Sequence, residues 1–396
     1  MLNVALVGHI DHGKSTLIGR LLYDTGSLPE GKLKEIKKTC ESLGRKFEFA
    51  YLVDALEEER KKQMTIETAQ TFFKSEKRDY AIIDAPGHKE FLKNMVTGVS
   101  QADAAILIVD VVEGLQEQTK RHAYLLKLLG IEKLIVVINK MDLVNYEKLK
   151  FEKTRNDVVS YLKDLGIEPT CIIPISAYEG DNVVKKSEKM RWYNGPTVMR
   201  ALDAIEKKEM FYHFRLPIQD EYEMGGEKIY VGNVLSGEVK KGDVVKCYPE
   251  EKEVKIEKIL VYENEVETAK APQAVGIIVD SELKRGCVLG KGERPLVTRN
   301  VSSLLFSLVG DVKEGEKYLM RCVTQEVECR VEKVLEKIDI NTLERLSGKE
   351  LKETEIGKVE LSFEKPVVVE KFNKLKELGR FVLMKEGKII AGGIVV

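Results

Sequence analysis

Gly8-His9-Ile10-Asp11-His12-Gly13-Lys14-Ser15 follows the apolar run Val4-Ala5-Leu6-Val7 and opens a stretch in which Leu17, Ile18, Leu21 and Leu22 share one helical face. A strand, a glycine-bounded loop and an amphipathic helix, in that order, make a cradle for phosphate. Successive backbone N–H groups from Gly8, His9, Asp11, His12 and Gly13 curl toward the anion, and the positive end of the helix beginning near Lys14, Ser15 and Thr16 faces it. Lys14 is expected to reach the β- and γ-phosphates, and the hydroxyl of Ser15 to ligate Mg²⁺. The plainer alternative is a glycine-rich turn with Lys14 in solvent; the preceding strand and following helix count against it.

Three more segments follow in order along the chain. Asp84-Ala85-Pro86-Gly87-His88 ends a strand candidate. Asp84 is placed to hold Mg²⁺ through a water, and the Gly87 amide to register the third phosphate. His88 is the candidate for orienting the attacking water, although a lone histidine is more often structural. Asn139-Lys140-Met141-Asp142 and Ser176-Ala177 read the base. The Asp142 carboxylate accepts from guanine N1–H and N2–H together, donors that adenine lacks, the Lys140 stem covers the purine face, and the Ser176 and Ala177 amides donate to O6. Thr65, between the first two motifs, is a candidate for a second hydroxyl on Mg²⁺, with a strand threonine as the even alternative. Any one segment could arise by chance. The ordered set predicts a GTP/GDP site with Mg²⁺.

Residues 1–210 alternate strand candidates (3–7, 80–84, 104–110, 134–139, 171–175) with helical patterns at 14–22 and 147–165, the latter stopped by Gly166. That alternation predicts an α/β P-loop GTPase domain with a mostly parallel sheet, ligands gathering at the strands' carboxyl ends. Beyond a linker the rhythm changes to short alternating runs and glycine turns, so two small β-barrels are expected at 211–297 and 301–396. Weak helical signals remain near 332–337, 341–346 and 372–378.

A chain of 396 residues is long enough for two or three domains, and its formal net charge of −1 supplies no overall basic footprint for nucleic acid. Six scattered cysteines without a C-x-x-C pair predict reduced thiols, neither a zinc site nor a disulfide framework. No targeting segment or membrane span is visible, so a cytoplasmic protein is expected.

The full motif set resembles the translation-factor class of GTPases, which includes elongation factor Tu, its archaeal and eukaryotic counterparts, and the GTPase subunit of bacterial sulfate adenylyltransferase. This resemblance implies a GTPase domain followed by two barrels, and it aligns Thr65 with the class's switch threonine and His88 with its water-positioning histidine. Gln63 departs from the glycine usual there. Segments such as Leu21-Leu22-Tyr23-Asp24-Thr25-Gly26, Phe91-Leu92-Lys93-Asn94-Met95, Ile338-Asp339-Ile340-Asn341 and Gly379-Arg380-Phe381-Val382-Leu383 look similar to the sulfate adenylyltransferase subunit. The expectation from them is a GTP-hydrolysing subunit that drives adenylyl sulfate formation by a small ATP-cleaving partner subunit. The alternative is an elongation-factor-like GTPase delivering aminoacyl-tRNA to the ribosome; that reading needs a basic surface and a pocket for an esterified amino acid.

Overall fold

In the computed structural model the described residues are 1–28, 31–42, 47–53, 70–84, 102–206, 213–262, 264–339, 342–353 and 355–396. They form two compact units, Met1–Lys207 and Lys208–Val396.

The first unit is built on a six-stranded sheet in the order β2-β3-β1-β4-β5-β6. Its strands are β1 (Leu2–Gly8), β2 (Gln70–Lys74), β3 (Asp79–Asp84), β4 (Ala104–Asp110), β5 (Leu134–Asn139) and β6 (Cys171–Pro174). The pairs β1–β3, β1–β4, β4–β5 and β5–β6 are parallel, and only β2 runs antiparallel, on the edge beside β3. Both β4 and β5 are buried at every position, which is why they appear in the sequence as unbroken apolar runs. The expectation contained no strand at 70–74. β2 is a short edge strand with Phe73 buried and Phe72 half exposed, too brief a pattern to stand out.

Helices α1 (Lys14–Asp24), α2 (Lys32–Ser42), α3 (Glu117–Leu128), α4 (Lys148–Asp164) and α5 (Val198–Ala204) accompany the sheet. Leu17, Ile18, Leu21 and Leu22 of α1 join β1, β3, β4 and β5 in the main core. α4 ends at Gly166, which holds φ +69°, a left-handed conformation that glycine adopts without the Cβ penalty. Thr197 caps α5, its hydroxyl accepting from the Arg200 amide at 3.3 Å.

The second unit holds two closed rings of six strands, accompanied by the short strands β9 (Glu238–Lys240), β12 (Asn264–Val266), β13 (Thr268–Lys270), β17 (Val312–Lys313), β20 (Arg345–Leu346) and β21 (Glu350–Leu351). In the first, β7 (Phe214–Met224), β8 (Glu227–Val234), β14 (Gln273–Val279), β11 (Lys252–Val261), β10 (Val244–Tyr248) and β15 (Val288–Lys291) pair in sequence, and β10–β11 closes the circle. In the second, β16 (Leu296–Ser307), β22 (Glu355–Val369), β19 (Gln325–Asp339), β18 (Lys317–Cys322), β23 (Arg380–Lys385) and β24 (Lys388–Val395) do the same through β18–β19. Closure removes the free edges that open sheets must protect.

The helical signal at 332–337 is corrected: those residues lie inside β19, whose cross-strand partners on β22 override local preference. Of the signal at 341–346, residue 341 lies outside the described residues and Arg345–Leu346 form a short strand; a single helical turn, Lys376–Gly379, answers the last one. The barrels share an apolar seam in which Tyr248 and Val288 meet Val368, Leu375 and Leu378. Arg215, wholly buried on β7, crosses it to Glu370 with Nε and Nη2 at 3.0 and 2.8 Å from Oε1.

Candidate nucleotide-binding site

After β1 the chain leads toward β3 on one side; after β4 it passes through α3 to β5 on the other. The two connections diverge at the carboxyl ends of β1 and β4, opening a crevice where α/β sheets hold ligands. Gly8, Asp84, Asp110 and Asn139 end β1, β3, β4 and β5 on this edge.

Two glycines shape the loop above it. A Cβ on Gly8 would lie 2.5 Å from the Ile108 carbonyl oxygen, and one on Gly13 would overlap Asn139 Nδ2. Gly13 also takes φ +94° as the residue that starts α1. Helix α1 has no side-chain cap and no acidic residue in its first turn, so its leading N–H groups and positive end stay available to an anion. Lys14 Nζ donates to the carbonyls of Gly8 (2.9 Å) and His9 (2.8 Å), two of the ammonium's three donors. Burial lowers the Lys14 pKa, while Asp84 and Asp11 act in the opposite sense. The cradle fits a phosphate chain.

Helix α3 holds the loop from outside. His122 Nδ1 accepts from the Gly8 amide at 3.1 Å, and Gln118 Oε1, one turn earlier, accepts from the Ile10 amide at 3.2 Å. Burial pushes the His122 pKa down to about 3, so its ring is neutral and Nδ1 is a true acceptor. His12 is buried too and its pKa is lowered by desolvation. The Asp110 amide donates to His12 Nδ1 at 3.2 Å, which leaves Nε2–H to donate to Glu113 at 3.2 Å. His9 packs edge-on against His12 at 5.1 Å, and its buried Nδ1 has no partner among the described residues.

The base-reading segments are tied to the cradle by Asn139. Its Nδ2 donates to the His12 carbonyl at 2.9 Å, and its Oδ1 accepts from the Ala177 amide at 2.9 Å. Asn139 is therefore a clasp between two loops. Ser176 Oγ donates to Asp142 Oδ1 at 2.5 Å and aims that carboxylate. Lys140, at φ +64°, extends to Asp110 at 2.7 Å, so its aliphatic stem is stretched along the site. Asp110 is buried and also accepts from the Val112 amide at 2.6 Å.

Gly8, His9, Asp11, His12, Gly13, Lys14, Ser15, Thr16, Asp84, Asn139, Lys140, Asp142, Ser176 and Ala177 are described; Thr65, Gly87 and His88 lie outside the described residues, as does Gln63. Of the residues expected to offer oxygen to Mg²⁺, Ser15 lies in the first turn of α1 and Asp84 at the tip of β3. Such a pair fits an ion that keeps waters and leans on substrate phosphates. Among the described residues no group of three or more His, Cys, Asp or Glu could hold a metal by itself. Sequence reasoning missed His122, Gln118 and Asp110. For Asp110 a signal existed, a lone carboxylate ending an otherwise apolar strand.

A phosphate loop at the switch point of a parallel sheet, with base-reading loops clasped to it, defines a P-loop nucleotide-binding protein. Residues 1–208 match the family model of the elongation factor Tu GTP binding domain, and residues 302–396 match the GTP-eEF1A C-terminal domain-like family. Elongation factor 1-alpha of Pyrococcus horikoshii is 40% identical over 415 residues, covering 100% of this chain and 97% of that protein. The Archaeoglobus fulgidus and Methanopyrus kandleri proteins of that name are each 38% identical, with the same two coverages. The solved structure of sup35 complexed with GDP aligns at 25% identity and TM-score 0.46 over 100% of this chain and 93% of that one, too loosely to argue from. The chain belongs to the elongation factor Tu and elongation factor 1-alpha family of GTPases.

These matches overturn the expected sulfate adenylyltransferase subunit and its ATP-cleaving partner. Part of what pointed there is framework: Leu21 and Leu22 of α1 are buried in the first unit's core and Phe381 and Leu383 of β23 in the second barrel's core, while residues 91–95, 340 and 341 lie outside the described residues. Core positions report which barrel is built, and not which client it serves. Among the described residues no helix is long and apolar enough to cross a membrane.

Proposed function

We propose that this chain is an elongation-factor-type GTPase that carries aminoacyl-tRNA to the ribosome in its GTP state and releases it on hydrolysis. The observation that carries the reading is identity of 38–40% with proteins named elongation factor 1-alpha along the whole chain, barrels included. The switch machinery alone is common to many clients.

In this reading the amides of 8–13 and the α1 terminus bind the phosphates, with Lys14 contributing its third donor. Ser15, Thr65 and Asp84 would hold Mg²⁺, which would supply neutralisation of phosphate charge. Asp142, aimed by the Ser176 hydroxyl, reads guanine; the Ser176 and Ala177 amides, expected to donate to O6, are taken by the Asp181 carbonyl and by Asn139, so they hold the loop in register with the cradle. The Gly87 amide senses the γ-phosphate and His88 orients the attacking water. The first barrel carries a cavity of about 540 Å³, lined by Gln219, Val231, Asn233, Leu260, Tyr262 and Gln273 among others. Apolar walls interrupted by amide oxygens suit an esterified amino acid, whose side chain needs apolar surface and whose ammonium needs acceptors.

The test is protection of the aminoacyl ester. With GTP bound, the protein should slow spontaneous deacylation of aminoacyl-tRNA, and with GDP bound it should not. Programmed ribosomes should accelerate its GTP hydrolysis. Equal deacylation in both nucleotide states, with no ribosomal stimulation, would reject the proposal.

A further inference from the structure

Gly180 makes room for a guanidinium that no nucleotide motif includes, and Gly19 lets the Phe49 backbone approach α1. A Cβ on Gly180, which holds φ +86°, would overlap Nη2, Cζ and Nε of Arg20. A Cβ on Gly19 would strike the carbonyl of Phe49. Between these close approaches Arg20 makes three kinds of contact at once. Its Nε donates to Asp24 Oδ2 at 2.9 Å, fixing the plane of the group. Its Nη1 donates to the Tyr178 carbonyl at 3.3 Å, within the loop that begins at Ser176-Ala177. Its Cζ lies 4.9 Å from the centre of the Phe49 ring and 5.7 Å from that of Tyr23, within cation–π range. The side chain is only 19% exposed.

Phe49 belongs to a satellite apolar cluster with Ile36, Cys40, Leu52, Phe47 and Tyr51, distinct from the main core. From this cluster the chain runs on toward Thr65. One planar cation thus touches the base-reading loop on one side and the segment preceding the switch threonine on the other.

We propose that Arg20 is a positioning residue for guanine recognition and the contact through which base occupancy is felt at residues 47–53. Holding the Tyr178 carbonyl keeps the turn after Ala177 closed, so that the Ala177 amide stays on Asn139 and the Ser176–Asp142 pair stays aimed at the purine edge. This rests on the nucleotide-site reading above. The planar fork is required: lysine carries the charge but cannot serve Asp24, Tyr178 and the Phe49 face together.

The experiment measures competitive affinities for GDP and for purine riboside 5′-diphosphate, which keeps the phosphates but lacks the 6-oxo and 2-amino groups. Arg20→Ala should weaken GDP about tenfold and the unsubstituted purine less than twofold. Arg20→Lys should fall between, near threefold for GDP. Phe49→Ala, remote from the base, should also weaken GDP selectively, and GDP should then no longer slow hydrogen exchange in residues 47–53. If Arg20→Ala loses its native tryptophan emission, Arg20→Lys and Phe49→Ala decide the matter. GDP affinity within twofold of wild type in those variants, or equal losses for both nucleotides, overturns the proposal. Failure of the wild-type protein to bind GDP would instead remove the nucleotide-site reading itself.

Discussion

Replacing Asn139 with alanine should loosen the first unit before any ligand is considered. The side chain satisfies two buried backbone groups, the His12 carbonyl and the Ala177 amide, each at 2.9 Å. A buried polar group left without its partner costs about 1–3 kcal/mol, so removing both sets a range of about 2–6 kcal/mol. Water entering the vacated space would place the result toward the lower end. Trp192 is the only tryptophan in the chain, and its indole N–H donates to the Tyr146 carbonyl at 3.1 Å. Its emission therefore follows the first unit alone in a two-unit protein, whose overall unfolding need not be two-state. In nucleotide-free protein ligand linkage does not contribute, and with a urea m-value of about 2 kcal/mol/M the Trp192 midpoint should drop by about 1–3 M. Asn139→Asp keeps the acceptor for Ala177 but sets a buried carboxylate against the His12 carbonyl, so no recovery over the alanine variant is expected. A shift below about 0.2 M in the alanine variant, corresponding to under about 0.4 kcal/mol, would refute the view that Asn139 clasps the two loops.

If Asp142 reads guanine as proposed, Asp142→Asn should weaken GTP by about 1–3 kcal/mol, roughly 5- to 150-fold, while xanthosine triphosphate gains. Unchanged guanine preference in a competition assay would count against that role. Folded His122 titrates near pH 3, well below an unfolded histidine near 6.5. Its contribution is complete above pH 6.5 and is lost as pH falls toward 3, at about 1.4 kcal/mol per pH unit, with His12 acting in the same direction. The Trp192 urea midpoint should therefore fall with acid, and His122→Gln should reduce that slope by about one proton; an unaltered slope would contradict the buried neutral ring. His88→Ala should leave GTP affinity within a few-fold and slow turnover by about 10²–10⁴, as loss of a water-orienting group does; full single-turnover hydrolysis would exclude it from the chemistry.

Local chemistry made much of this protein legible in its sequence. The cradle from Gly8 to Ser15 is marked locally, by glycines bounding a loop after an apolar strand and by helix-forming residues directly after them, though only the fold shows that these glycines avoid Ile108 and Asn139. β4 and β5 span the residues their apolar runs delimit, because both faces of each strand are covered. The translation-factor class followed from four short motifs for the same reason. Tertiary structure decided what those motifs do to one another. Asn139 has the composition of a base reader, but only the approach of His12 and Ala177, 127 and 38 residues away, makes it a clasp. His122 lies 114 residues from the amide it supports, Arg20 lies 158 from the carbonyl it holds, and no local pattern marks either. The client was misread in the barrels because buried strand residues answer to packing within a closed ring of six strands. Packing constrains volume and alternation; it leaves open what the outer surface will meet.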